Sequence, residues 1–276
     1  MQKGLNMTHF WVRALNALLK PAGYITIART RLDRLQTRPT LRGALRQLRA
    51  AGLQPSVVLD VGAAEGTPDL QAIFSNAPQI LFEPLREYQP RLEALKARHP
   101  RLDIVMAAVG SEAGSLTINV YPELDSTSLY SEPGVQTIPR EIPVVTLDDI
   151  CQERGLTGPF LIKADVEGAE LDVMRGAAAI LPETACVILE TTLFRFRDNA
   201  PQIDEVIRFM VEHGFAIYDI VGAAYRPLDG ALARLDVVFV RDDGPLRAEH
   251  RYATGEQRAA RVQKFQERDL IPDESG

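Results

Sequence analysis

Three charged side chains alternate where an apolar run ends, in Phe160-Leu161-Ile162-Lys163-Ala164-Asp165-Val166-Glu167-Gly168-Ala169-Glu170. A strand continuing past Ala164 would place Lys163, Asp165 and Glu167 on one face, and Gly168 would let the chain turn sharply into a helix. Such a group can hold a base of shifted pKa, a divalent cation, or a lysine–carboxylate pair that only fixes the turn. All three readings are open at this point. A second set lies upstream. Residues 57–66, Val-Val-Leu-Asp-Val-Gly-Ala-Ala-Glu-Gly, form a buried-type strand that ends in an acid, Asp60, and runs into a turn marked by Gly62 and Gly66. Glycine permits positive φ and close approach of a ligand, and a helix start beyond it offers free N–H groups to an anion. Glu83, in Gln79-Ile80-Leu81-Phe82-Glu83-Pro84, closes another apolar run. An acid roughly 20 residues past a glycine loop is placed to hydrogen-bond two ribose hydroxyls. The loop spacing is G-x-x-x-G, whereas a dinucleotide fingerprint requires G-x-G-x-x-G, so it fits S-adenosylmethionine better than a nicotinamide cofactor. Each of these residues alone is ordinary strand-end punctuation; the set is not.

The elements that must position these groups follow from the pattern. Strands at 57–61, 79–83, 103–107, 160–164 and 185–190 alternate with helical segments near 67–76, 85–98 and 168–181. This predicts an α/β, Rossmann-like fold, a mostly parallel sheet with helices on both faces and ligands at the carboxyl ends of its strands. Residues 111–146 break the rhythm with expected strands at 116–121 and 142–145 around Asp125-Ser126-Thr127-Ser128, an insertion of the kind that carries substrate contacts or a lid. After a helix at 202–213, runs at 215–221 and 235–241 would close the sheet as an antiparallel pair. The predicted division is an N-terminal helical cap over 1–54, the main domain over 55–241, and a charged extension over 242–276 with a helix near 255–267 and a frayed end. The cap carries an amphipathic pattern from His9 to Leu19, then Leu32, Leu35, Leu41, Leu45 and Leu48 among arginines, broken at Arg38-Pro39-Thr40. Its arginines could meet an anionic partner or a membrane surface; a solvated helix face explains them more simply.

At 276 residues, with 46% hydrophobic and 25% charged side chains, the chain suits one large α/β domain with appendages. The formal charge of −6 argues against a nucleic-acid partner. No apolar run approaches the ~20 residues of a transmembrane helix, and the N-terminus lacks a secretory pattern. Cys151, on an expected helix, and Cys186, in an expected strand, do not suggest a disulfide framework, and the reading is cytoplasmic.

Taken together, the ordered blocks resemble the FkbM-type S-adenosylmethionine-dependent methyltransferases over about residues 55–240. The blocks are Leu59-Asp60-Val61-Gly62-Ala63 with Gly66, Phe82-Glu83-Pro84, Ala108-Val109-Gly110, Ser128-Leu129, Val145-Thr146-Leu147-Asp148, and Leu161-Ile162-Lys163 with Asp165 to Glu170. Arg175-Gly176-Ala177 and Glu190 complete them. The resemblance implies a class I methyltransferase fold that methylates a hydroxyl of a sugar, glycolipid or polyketide-like acceptor, a small molecule or glycan. It implies that Asp60, Gly62, Ala63 and Gly66 cradle the methionine part, that Glu83 holds the ribose and that Ala108 lies near the adenine. The chain departs from the family at Ala64, where asparagine is usual.

An alcohol needs help to lose its proton, and a positioned base supplies about 10²–10⁴-fold. His9, His99, His213 and His250 all fall away from the predicted strand ends. The expected base is therefore a carboxylate: Asp165 first, Glu167 second, Glu190 at the next strand end in support, with Lys163 orienting or neutralising them. A carboxylate of pKa near 4 is a weak base, so oxygen-liganded Mg²⁺ or Ca²⁺ is an alternative activator and the metal stays undecided. A nicotinamide-dependent oxidoreductase and a non-catalytic binding protein of the same fold are the competing readings.

Overall fold

The computed structural model describes residues 38–266 apart from 123, 125 and 126. The expected helix from His9, Leu32 and Leu35, the polar Asp125-Ser126 and the frayed end lie outside the described residues.

The main sheet has the order β3-β2-β1-β7-β8-β10-β9. Its strands are β1 (Val57–Val61), β2 (Gln79–Phe82), β3 (Leu102–Val105), β7 (Phe160–Ala164), β8 (Thr184–Thr192), β9 (Phe215–Tyr225) and β10 (Leu232–Arg241). The first five in spatial order are parallel, and β10 and β9 add antiparallel at the far side. The chain builds outward from β1 through β2 and β3, then returns to the other side of β1 with β7. Beyond the carboxyl ends of β1 and β7 this reversal opens the crevice in which α/β sheets bind ligands.

Strands buried on both faces are written mostly in apolar residues, and every residue of β1 and β7 is buried, the charged Asp60 and Lys163 standing opposite each other in register. Alternation sends Val58, Leu161, Ile188 and Val238 to one face, against Leu45 and Leu48 of α1 (Leu41–Ala50) and Leu70 of α2 (Pro68–Ile73). It sends Leu59, Ile162, Leu189 and Phe239 to the other face, against α4 (Leu147–Glu153), α5 (Glu170–Arg175) and α6 (Ile203–Glu212). Each such side chain contributes roughly 1.5–3 kcal/mol of burial.

The helices stop where local chemistry stops them. Helix α1 starts at Thr40, whose hydroxyl caps the Gly43 N–H, after the predicted break at Pro39. Helix α3 (Gln89–Lys96) begins four residues later than expected, because Glu83 first accepts the Leu85 N–H and holds a turn there. Helix α5 ends at Arg175, well short of 181: a Cβ on Gly176 would stand 2.0 Å from the Gly110 carbonyl oxygen. Residues 111–146 are more regular than expected. Strands β5 (Gly114–Val120) and β6 (Ile138–Val145) pair antiparallel, and β6 also pairs parallel with β4 (Ala108–Val109). Ile118, Val120 and Ile142 of this small sheet pack on Leu85, so the insertion is a wall beside the crevice. Helix α7 (Gly255–Gln266) buries no residue.

Candidate functional site

A cavity of about 400 Å³ fills the crevice, with Gly62, Glu83, Ala108, Ser128, Asp165 and Glu167 in its wall. Ala63 and Gly66 line a shallower opening that shares Gly62 and Asp165 with it.

At one side the glycine loop leaves β1. Gly62 has φ +72°, and a Cβ there would lie 1.9 Å from the Asp165 carbonyl oxygen, so the ends of β1 and β7 approach as closely as only glycine allows. Gly66 has φ +92°. Ala64 also lies in the left-handed region, at φ +47°, a conformation that asparagine accepts and alanine resists. Glu83, buried just past β2, accepts the Ala64 N–H at 2.8 Å with Oε2 and the Leu85 N–H at 2.9 Å with Oε1. Burial outweighs these bonds and raises its pKa above the ordinary carboxylate value. Asp60 lies elsewhere than expected. Its fully buried carboxylate turns inward, accepting the Thr67 N–H at 3.2 Å and the Thr67 hydroxyl at 3.1 Å, so it shapes the loop from below and lines neither opening.

At the other side the alternation of Lys163, Asp165 and Glu167 does not survive as a strand face. Strand β7 ends at Ala164, and the chain turns through Glu167 at φ +57° and Gly168 at φ +110°. Lys163 instead pairs across the sheet with Asp60 in β1. Its ammonium lies 3.2 Å from Asp165. Burial acts to lower the Lys163 pKa, but Asp165, Asp60 and Asp236 together overcome it and raise it. Glu167 points away to Arg197, at 2.8 Å, and Arg234, at 3.2 Å. Glu190, in β8, lies 3.3 Å from Arg234, yet burial and the carboxylates of Asp165 and Glu167 push its pKa up to about 9. Burial also lifts Asp236, which faces Glu190 from β10, to about 6.

Asp165, Glu167 and Glu190 each bring a carboxylate oxygen within 4.8 Å of the others, a span that could surround a cation. The surrounding charge does not suit one. Lys163, Arg197 and Arg234 already meet these three acids, and a divalent ion would enter against three positive side chains.

The insertion is clamped to the turn. The Ser128 hydroxyl donates to the Glu167 carbonyl at 2.6 Å and accepts the Tyr130 N–H at 3.1 Å, and the Tyr130 hydroxyl donates to Asp172. The guanidinium of Arg197, from the segment after β8, stacks over the Tyr121 ring. Arg197, Arg234 and Asp236 were not anticipated: they follow β8 by sequence and reach the site only through the fold. Other family-like blocks serve architecture. Gly110 donates to the Val145 carbonyl, Thr146 caps α4, and Asp148 accepts the N–H groups of Ala179 and Ile180, so these blocks tie the small sheet to α5. His99, His213 and His250 lie away from the cavity wall, and His9 is outside the described residues.

Residues 60–217 match the model of the methyltransferase FkbM domain. A curated relative, the AMB antimetabolite synthetase AmbE of Pseudomonas aeruginosa, is 28% identical over 203 residues, 59% of this chain and 10% of that protein. The chain therefore spans about a tenth of that relative's length. Among solved structures it is similar to a precorrin-6y C5,15-methyltransferase from Geobacter metallireducens, with TM-score 0.39 and 14% identity over 73% of this chain and 87% of that one. It is also similar to the magnesium protoporphyrin IX methyltransferase ChlM of Synechocystis, solved with bound S-adenosylmethionine, with TM-score 0.41 and 12% identity over 77% and 92%. The family match covers more than half of the chain and both ends of the cavity, and the protein belongs to the FkbM methyltransferase domain family.

Proposed function

We propose that the chain transfers the methyl group of S-adenosylmethionine to a hydroxyl oxygen of a sugar, glycan or secondary-metabolite acceptor. The observation that carries the reading is a single cavity with Glu83 in its wall on one side of the Gly62 loop and Asp165 on the other. A carboxylate offers about four acceptor positions, and the Ala64 and Leu85 N–H groups take two at Glu83, which leaves two for a ribose diol. Gly62, Ala63 and Gly66 leave room for the methionine part, Asp60 holds their loop through Thr67, and Ala108 offers a small side chain beside the adenine. The cofactor supplies an activated methyl group on a sulfonium. Asp165, the most exposed of the three acids and paired with Lys163, accepts the proton of the acceptor hydroxyl. Lys163 directs that carboxylate through the contact at 3.2 Å. Glu167, held by two arginines, fixes the turn, and Glu190, paired with Arg234 and with its pKa raised by burial and the neighbouring carboxylates, supports them from β8. The catalytic unit is residues 55–241 together with α1, whose Leu45 and Leu48 complete the core on one face of the sheet, so the expected boundary at 54 cuts through that core.

A screen with methyl-labelled S-adenosylmethionine against glycans and metabolites identifies the acceptor. On that acceptor, Asp165→Asn should lower turnover by at least about 10²-fold while melting temperature and S-adenosylhomocysteine affinity stay as in the wild type, and EDTA should leave wild-type turnover unchanged. An Asn variant with full turnover removes Asp165 as the base.

A further inference from the structure

Glu170 closes the charged block that begins at Lys163, yet it is not in the cavity wall. It is 3% exposed, at the start of α5. Its side chain turns back under the preceding residues, where Oε1 accepts the N–H of Val166 at 3.2 Å and of Gly168 at 3.1 Å. Between those two donors stands Glu167 in the left-handed region, a conformation that persists only where its surroundings enforce it. Asp165, one residue before the gathered segment, donates its N–H to the Val61 carbonyl at 3.0 Å and lays its own carbonyl against Gly62. The turn is thus gripped by β1 at its first residue, by Ser128 above Glu167, and by Glu170 from beneath. Burying a carboxylate on neutral donors is costly, and an apolar side chain of the same size would avoid that cost. What the carboxylate gains is a fixed path for residues 166–168.

We propose that Glu170 is a positioning residue for Asp165: by gathering the two N–H groups of the strained turn it holds the Asp165 carboxylate at the cavity wall. This rests on the proposed role of Asp165 beside the transferred methyl group. The two can be separated without knowing the acceptor, because S-adenosylmethionine carries a sulfonium charge that S-adenosylhomocysteine lacks. Calorimetry with both ligands gives a preference that reads the carboxylate at the wall. Asp165→Asn should lower that preference roughly tenfold, the size of one favourable charge contact. Glu170→Ala, and the milder Glu170→Asp, which shortens the reach to the turn, should lower it by most of the same factor. The Asp165→Asn/Glu170→Ala pair should lose no more than Asp165→Asn alone, and Glu170→Gln, which keeps the accepting oxygen, should restore the wild-type preference. If Glu170→Ala does not fold, Glu170→Asp carries the comparison. Glu170 variants that lose melting temperature, or weaken both ligands equally, with the preference intact overturn the proposal and make Glu170 a residue of the fold alone. An unchanged preference in Asp165→Asn instead defeats the reading of Asp165, and leaves Glu170 nothing to position.

Discussion

On the β1–β2 side of the cavity Glu83 bonds backbone N–H groups 19 and 2 residues away, and Asp60 bonds Thr67, 7 residues away. On the β7–β8 side Glu167 and Glu190 meet arginines from distant segments, Arg234 standing 67 residues from Glu167. The first side is made by a local loop and its dipoles; the second is a buried charge network that the whole sheet must close to assemble. A carboxylate held by N–H groups keeps acceptor positions for a polar ligand. Carboxylates crowded together instead shift one another's pKa values, which favours proton chemistry.

The contact between the two sides is the most sensitive place to break this contrast. Gly62→Ala introduces a Cβ into the Asp165 carbonyl at positive φ, so it should cost about 3–4 kcal/mol, overpacking and backbone strain combined, and abolish cofactor binding. Chemical denaturation and calorimetry check it; an Ala variant near wild-type stability would mean that the two sides do not touch.

Next in size is Glu83→Gln. It replaces a charged acceptor with an amide that cannot serve both N–H groups, and S-adenosylmethionine binding should weaken by about 1.5–3 kcal/mol. Unchanged affinity in titration calorimetry would deprive the loop side of its ligand role.

Glu190 sharpens the contrast through pH. Its native pKa of about 9 lies above the ordinary value, so the folded state binds this proton more tightly than the unfolded chain. Its contribution is intact below about pH 4.5 and is lost as pH rises toward about 9. Glu190→Gln, a mimic of the protonated acid, should match the wild type at pH 5 and be the more stable of the two at pH 8.5. Greater wild-type stability at pH 8.5 would show Glu190 ionised and paired with Arg234.

The smallest effect expected is at Ala64. With φ at +47° it should gain about 0.5–1 kcal/mol on replacement by glycine, read as a modest rise in melting temperature. A loss would mean that the alanine methyl has packing value that outweighs the backbone relief.

Much of this was legible from residue order. Periodicity placed β1, β7 and the antiparallel β9–β10 pair, because a strand buried on both faces is written mostly in apolar residues. Gly62, Gly66 and Glu83 could be singled out because turns and strand ends leave local marks. Other features had no local mark. Strands β5 and β6 within 111–146 mix polar and apolar residues on a half-exposed surface, so they look shorter in the sequence than they are. The early end of α5 is set by a carbonyl 66 residues upstream, that of Gly110 against Gly176.

Sequence by itself determined the family, the positions of the parallel strands along the chain and the identity of the acids at their carboxyl ends, since each depends on neighbours in the chain. Only the tertiary structure decided what those acids do. It turned Asp60 inward to Thr67, gave Glu167 to Arg197 and Arg234, and raised the pKa of Glu190 by burying it beside two other carboxylates. The state of a carboxylate depends on its burial and on which charges stand within a few ångströms, and those neighbours come together only when the sheet closes.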